Sequence, residues 1–397
     1  MGPGTLLEST PGCFIFNKAI ALSLTFKLVR HLEDINAEQW NELAGDHPLV
    51  RHEFLLALDQ CGCAVAQTGW APHYLALYRH NALQGAMPLY LKSHSRGEYV
   101  FDYSWAQAFE RHGLAYYPKL LSAVPFTPVP GPRLLAATHE DRVLLARKAI
   151  EITQENGVSS LHILFPSEAD QKALKEAGFL FRENVQFHWF NQNYENVDHF
   201  LASLSQQKRK KIKQDRKKST QADISFRWLE GQEIDDDTLQ FFYRCYHQTY
   251  IEHGNAPYLS LEFFIQLRRT MCENMVVVLA EQHGTPIASA LNIRSKNTLY
   301  GRYWGSIQYV PGLHFETCYM QAIEFCIANN VQTFEGGAQG EHKLSRGMLP
   351  VQTCSAHWIR DERYAQAITE FLAHETPAVA AYINELHEHS PYKKSQT

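Results

Sequence analysis

From Leu24 onward the chain switches repeatedly between a two-residue and a helical hydrophobic period. LTFKLV reads as a strand, and Asn36 opens NAEQWNELAG as its cap, because an Asn side chain can accept an N–H of the first helical turn. A second helix, PLVRHEFLLALDQCG, ends on a glycine. Three strand-like runs follow: HYLALYRH, QGAMPLYLKS and EYVFDYSW. A helix-rich stretch then leads to SSLHILF, a helix over SEADQKALKEAG, and FLFRENVQFHWF.

The second half repeats this order. ISFRWLEG is a strand, TLQFFYRCYHQTYIEHG and LEFFIQLRRTMCEN are helices, and MVVVLAE, PIASALNIRS and TLYGRYWG are strands. A long helix over FETCYMQAIEFCIANN precedes VQTFEGG and QTCSAHWIR, and a last helix covers about 362 to 387. When HYLALYRHNALQGAMPLYL is laid on VVVLAEQHGTPIASALNIR, His80-Asn81 falls on His283-Gly284 and Gly85-Ala86 on Ala288-Ser289. A short length change then puts Tyr103 on Tyr303, with Trp105 and Trp304 one position out of step. The pattern predicts an α/β (α+β) chain of two tandem domains, each a mixed, largely antiparallel sheet flanked by helices and not a doubly wound βαβ array. The expected division is an extension over 1–23, a first domain over 24–185 and a second over 186–392.

Bulk properties narrow the classes. The chain has 397 residues, 45% apolar and 20% charged, which fits two globular domains and excludes a disordered one. A net charge of −5 argues against a surface coated for nucleic acid. The exception is local: KRKKIKQDRKK, Lys208 to Lys218, holds eight Lys or Arg in eleven residues. On a helix this run is either a solvated face or an attractor of tRNA, anionic headgroups or a phosphorylated substrate. Eight cysteines with only Cys61 and Cys63 close together read as reduced, buried thiols, and no metal is expected. Phe14 to Phe26 is too short and too interrupted to span a bilayer, so no transmembrane segment and a cytoplasmic location are expected. There is no Walker loop, H-E-x-x-H helix or G-x-S-x-G elbow.

The order strand, two helices, three antiparallel strands, helix, strand resembles the GNAT acyltransferase fold, and its tandem form resembles the FemABX family, which joins amino acids to peptidoglycan precursors. HEFLLALDQCG, GAMPLYLKSHSRGEYVFDYSWAQAF, YYPKLLSAVPFTPVPGPRLL, HGNAPYL, GRYWG, GLHFETCYMQAIEF and FEGGAQGEHK together resemble the FemAB-like predicted N-acyltransferases, over about Phe26 to Tyr392. The resemblance implies transfer of an acyl group to an amine. It implies a thioester lying in a gap between two splayed strands, and a strand ending in glycines followed by a basic residue and an aromatic-glycine pair. Phe334-Glu335-Gly336-Gly337 fits that strand end; Lys343 fits the basic residue, and Arg346-Gly347 stands where the aromatic-glycine pair is expected.

Acyl transfer needs a neutral nucleophile, a stabilised oxyanion and a protonated leaving group. Glu335, at a strand's carboxyl end, is a candidate base if burial raises its pKa; His342 needs no tuning, and Glu341 is a further rival. Lys343 could steady the oxyanion or bind a phosphate, and Tyr303 could protonate the leaving group or be an ordinary sheet aromatic. Gly301 and Gly305 bracket Arg302-Tyr303-Trp304 in a strand suited to distortion. Gln308 and Gly312, ahead of a helix, could meet the pyrophosphate of CoA, with Gly301 and Trp304 along the donor. Asp102, Trp105, Glu316 and Arg346 are candidates for the acceptor side, although Glu316 in a first helical turn also suits the dipole. The expected activity is N-acyl transfer from acyl-CoA such as acetyl-CoA, a co-substrate and not a tightly bound cofactor, to a small-molecule amine. The alternatives are an aminoacyl-tRNA donor docked on Lys208–Lys218, or a non-catalytic amine-binding module on the same fold.

Overall fold

The computed structural model describes residues 24–337 and 340–393; the expected extension over 1–23 lies outside the described residues. The first half supplies β1 (Leu24–Val29), β2 (Trp70–Pro72), β3 (Tyr74–Arg79), β4 (Ala82–Met87), β5 (Tyr90–Lys92), β6 (Lys119–Ser122), β7 (Leu135–Ala136), β8 (Ser160–Leu164) and β9 (Leu180–Phe190). The second supplies β10 (Ile224–Glu230), β11 (Met275–Gln282), β12 (Thr285–Arg294), β13 (Thr298–Ser306), β14 (Thr333–Glu335) and β15 (Leu349–Ile359). A 4-stranded sheet has the order β1-β3-β4-β7, and an 11-stranded sheet the order β10-β11-β12-β13-β14-β9-β15-β8-β6-β5-β2. The large sheet therefore runs through both halves. β9 lies between β14 and β15, and β15 pairs with β8. The boundary expected at 185/186 falls inside β9.

The two halves share their hairpin geometry. β3 turns into β4 on His80 and Asn81, with φ of 52° and 64°; β11 turns into β12 on His283 and Gly284, with φ of 50° and 77°. Two successive positive-φ residues match the twist of the strands they join. Each hairpin also slips register once, between Leu77 and Tyr78 in one and between Ala280 and Glu281 in the other. These positions coincide in the alignment that superposes the turns. A helix pair precedes each hairpin, Ala37–Ala44 with His52–Gln60 and Asp236–Glu252 with Leu261–Met271.

The third meander strand expected in the first half is not one. EYVFDYSW gives way to a helix, Tyr103–Arg111, with Asp102 at its N-cap. Trp105 and Phe109 lie one helical turn apart and are both buried, so the helical period wins over the alternation. The partner of β4 is instead β7, through Gly85 and Ala136. Tyr103 and Tyr303 thus occupy different elements, and their expected equivalence does not hold. QGAMPLYLKS also breaks: Pro88, which has no N–H to give a ladder, separates β4 from β5, and the two strands join different sheets. The helix expected over FETCYMQAIEFCIANN forms, but Glu316–Met320 is a π turn between Leu313–Phe315 and Gln321–Ala328.

Among the described residues no helix is long and apolar enough to cross a membrane, and no three His, Cys, Asp or Glu cluster as metal ligands.

Candidate functional site

The sheet opens between β13 and β14. They pair in parallel only from Thr298–Thr333 to Tyr300–Glu335; β13 then continues to Ser306 while β14 ends at Glu335, just before Gly336-Gly337. Two glycines make the divergence possible. A Cβ on Gly301 would lie 2.9 Å from the Phe334 ring, and one on Gly336 would lie 2.5 Å from Met348 Cε. Gly336 and Gly337, just past the last paired residue, both line the space beside the opening.

Three cavities meet at this opening. One of about 420 Å³ is lined by Trp304, Gln308, Gly312, His314 and Phe315. A neck of about 110 Å³ follows, sharing Trp304 and His314 with it and adding Gly301, Arg302, Tyr319 and Gly336. On the other face, a cavity of about 550 Å³ shares Gly301, Arg302 and Gly336 with the neck and reaches Ser95, Arg96 and Tyr258. The shared residues place the three cavities side by side across the gap between the parted strands, with the smallest in the middle.

Glu335 stands at the last paired position. It is buried and lines none of the three cavities, although Gly336, next in the chain, and Arg302 line two of them. Burial raises its pKa from the ordinary 4.5 to about 8, against the opposing pull of the Arg302 and Arg133 guanidiniums. Its Oε2 has no partner among the described residues. Lys343 is 2% exposed, and its Nζ donates to the Gly337 carbonyl at 2.8 Å. Burial, helped by the charge of Arg302, lowers this lysine to about 8. A buried carboxyl and a buried ammonium thus lie close to the end of β14, both shifted toward neutrality by desolvation.

His342 is bonded through Nε2 to the Tyr319 hydroxyl at 3.3 Å, and burial lowers its pKa. Tyr319 lines the neck. His314 spans the neck and the first cavity, and burial lowers it to about 4, so it is neutral at pH 7. Tyr319 and His314 carry no local sequence signal: Tyr319 sits in the π turn and His314 in the short helix just before it. Arg302 was expected only as part of a distorted strand, yet its charge acts on both Glu335 and Lys343. Its Nη2 donates to the Phe126 carbonyl of the first half at 2.9 Å.

The other candidates scatter. Tyr303 is half-buried; it lines the neck, and its ring packs edge-on against Tyr246 and Phe264 at 5.4 and 5.6 Å. Gln308 and Gly312 both line the first cavity; Gln308 also donates to Gln282, and Gly312 has φ of 85°. Glu316 is buried away from the three cavities, paired with Arg216 at 3.2 Å and bonded by Gln321. Arg346 pairs with Asp215 at 2.8 Å, also away from the cavities. Asp102 is buried between Lys119 and Tyr116, and Trp105 packs on His357 at 4.8 Å. Neither lines the acceptor cavity, which takes Tyr99, Phe101 and Tyr103 from the same stretch instead.

The basic run forms the helix Gln206–Gln221. Ile212 is buried beneath it at 1% exposure, while Lys210, Lys211, Lys213, Lys217 and Lys218 are exposed. Its end abuts the first cavity, because the Cβ position of Gly312 lies 3.8 Å from Lys218 Cδ.

This architecture is a tandem GNAT-like fold. The FemAB-like family, described as peptidoglycan biosynthesis/recognition, matches residues 31–394, and the chain belongs to that family. No curated protein sequence matches the chain. Among solved structures it is similar to FemX, at 12% identity and a TM-score of 0.53, over 84% of this chain and 98% of that one. It is also similar to the C-terminal domain of a putative lysylphosphatidylglycerol synthetase from Agrobacterium fabrum, at 10% identity and 0.52, over 85% and 95% of the two chains. L-PGS from Bacillus licheniformis matches at 7% identity and 0.51, over 81% and 95%. These identities show shared fold.

Proposed function

We propose that this chain is an N-acyltransferase in which an activated ester and an amine enter from opposite faces of the sheet and meet between β13 and β14. The observation that carries this reading is the row of three cavities sharing residues where the pairing of β13 and β14 stops. The amine nitrogen attacks the ester carbonyl, an N–C bond forms, and the amine proton passes by way of one water to Glu335, which stands outside the cavity lining. The Gly336 and Gly337 N–H groups and Lys343 face the developing oxyanion. The C–O bond to the carrier then breaks, and Tyr319, bonded to His342, protonates the leaving oxygen.

The donor that best fits is an aminoacyl ester of tRNA. No Lys or Arg lines the first cavity among the described residues, which leaves the pyrophosphate of CoA without a cation there. The lysine-rich helix stands instead at the cavity's rim, where a larger polyanion can reach it. The similarity to FemX and to lysylphosphatidylglycerol synthetases supports the same choice. On the acceptor side Arg96 and Arg302 line the cavity with no Asp or Glu among its described residues, which suits an amine that also carries a carboxylate or phosphate.

A melting-temperature series against acetyl-CoA, longer acyl-CoAs and aminoacylated tRNA tests the reading. It predicts a rise with tRNA that disappears at high salt and in a variant with Lys208, Arg209, Lys210 and Lys217 changed to Ala. A rise with acyl-CoA alone would overturn the donor but leave the row of cavities. No rise with any donor would favour the amine-binding module.

A further inference from the structure

One buried carboxylate ties the basic helix to the transfer site. Asp215 is 8% exposed; its Oδ2 accepts from the Arg346 guanidinium at 2.8 Å, and its Oδ1 faces Lys218 at 3.0 Å and Lys211 at 3.4 Å. The two lysines lie four residues before and three after Asp215, so both reach it along the helix from the solvent side, with side chains 56% and 48% exposed. Arg346 is buried, and its guanidinium carbon lies 4.3 Å from the centre of the Phe315 ring. Phe315 lines the donor cavity, and its ring is 5.6 Å from that of His342. Arg346 also ends the 3-10 segment Glu341–Arg346, which carries Lys343.

We propose that Asp215 is a positioning residue that couples the docking of tRNA phosphates on the helix Gln206–Gln221 to the order of the Glu341–Arg346 segment. This rests on the reading of a tRNA donor. Phosphates that draw the Lys211 and Lys218 ammoniums outward leave Asp215 with Arg346 as its cationic partner. That pair is buried, where charge is least screened, so the carboxylate's pull concentrates on Arg346. Arg346 then holds Phe315 against the donor cavity and Lys343 against the Gly337 carbonyl. With no carrier docked, the two lysines share the carboxylate and the segment is looser. The oxyanion site is thereby completed when the ester arrives on its carrier. A nucleic acid fits this surface better than a membrane. Ile212 is the sole large apolar residue of the helix and is buried, so no apolar face is left to enter a bilayer.

The test is amide hydrogen exchange on the full chain, alone, with unfractionated deacylated tRNA, and with phosphatidylglycerol vesicles. The reporters are the N–H groups of Lys343, Gly347 and Met348, which bond to Gly340, Leu344 and Lys343. tRNA is expected to slow their exchange about threefold or more. Asp215→Asn is expected to bind tRNA at least as tightly, having lost a negative charge, and to lose the slowing; Asp215→Glu restores part of it. Arg346→Gln, which keeps Asp215, should give the same uncoupling. Binding without slowing in the native chain, or slowing retained in Asp215→Asn, overturns the coupling while leaving the donor reading intact. Slowing by vesicles and not by tRNA overturns the partner. No tRNA binding overturns the donor reading and the coupling with it.

Discussion

Replacing Glu335 by Gln separates the cost of the proposed base from its use. The carboxyl is buried, and its native pKa of about 8 lies far above the ordinary 4.5. A carboxyl raised in this way binds its proton more tightly in the folded chain than in the unfolded one. Its contribution to stability is therefore complete below pH 4.5 and is lost as pH rises toward 8. The slope is about 1.4 kcal/mol per pH unit between those limits, so the cost reaches about 3 kcal/mol at pH 7 and about 4 kcal/mol at pH 8. Gln has nearly the same shape and no charge, and Oε2 has no partner to lose. Urea denaturation of both proteins at pH 5 and pH 8 should show Glu335→Gln gaining about 3 kcal/mol relative to native between the two. In the same variant transfer should fall about 10²- to 10⁴-fold. A stability difference that does not change between pH 5 and pH 8 would refute the claim that burial, opposed only weakly by Arg302 and Arg133, governs this group.

Three further outcomes follow from the same geometry. The rate of transfer should be bell-shaped in pH and peak near 8, because Glu335 must be ionised and Lys343 protonated, and both titrate at about 8; Glu335→Gln should remove the rising limb. Lys343→Met should lower kcat about 10²- to 10³-fold with little change in KM and remove the falling limb. Gly305→Ala should destabilise the fold by about 3 kcal/mol, read in urea, because a Cβ there would overlap the backbone carbonyl of Cys245 in the neighbouring helix.

What the sequence disclosed was what local chemistry controls. The hairpin turns at His80-Asn81 and His283-Gly284 need adjacent positive-φ residues, and such pairs are visible in one dimension. Gly301 and Gly336 stood out because a strand rarely keeps glycine without a close neighbour, here Phe334 and Met348. The failures were non-local. EYVFDYSW alternates as well as any strand, and only Lys119 and Tyr116, which fold over Asp102, fix it as a loop and helix. β9 reads as an ordinary strand of the first half, yet it is held between β14 and β15. Tyr319 lies in a π turn and His314 just before it, and a π turn inside an apolar helical run has no sequence mark. Arg133, whose charge pulls against the burial of Glu335, belongs to the other half, far away in the chain.

The most direct measurement is a structure of the chain bound to an aminoacyl-adenosine analogue whose ester is replaced by a stable amide. The account predicts the nucleoside beside Trp304 and Phe315 and the aminoacyl carbonyl in the neck between Gly301 and Gly336, facing the Gly336 and Gly337 N–H groups. An analogue bound elsewhere, or β13 and β14 closed against each other beyond Tyr300, would contradict it.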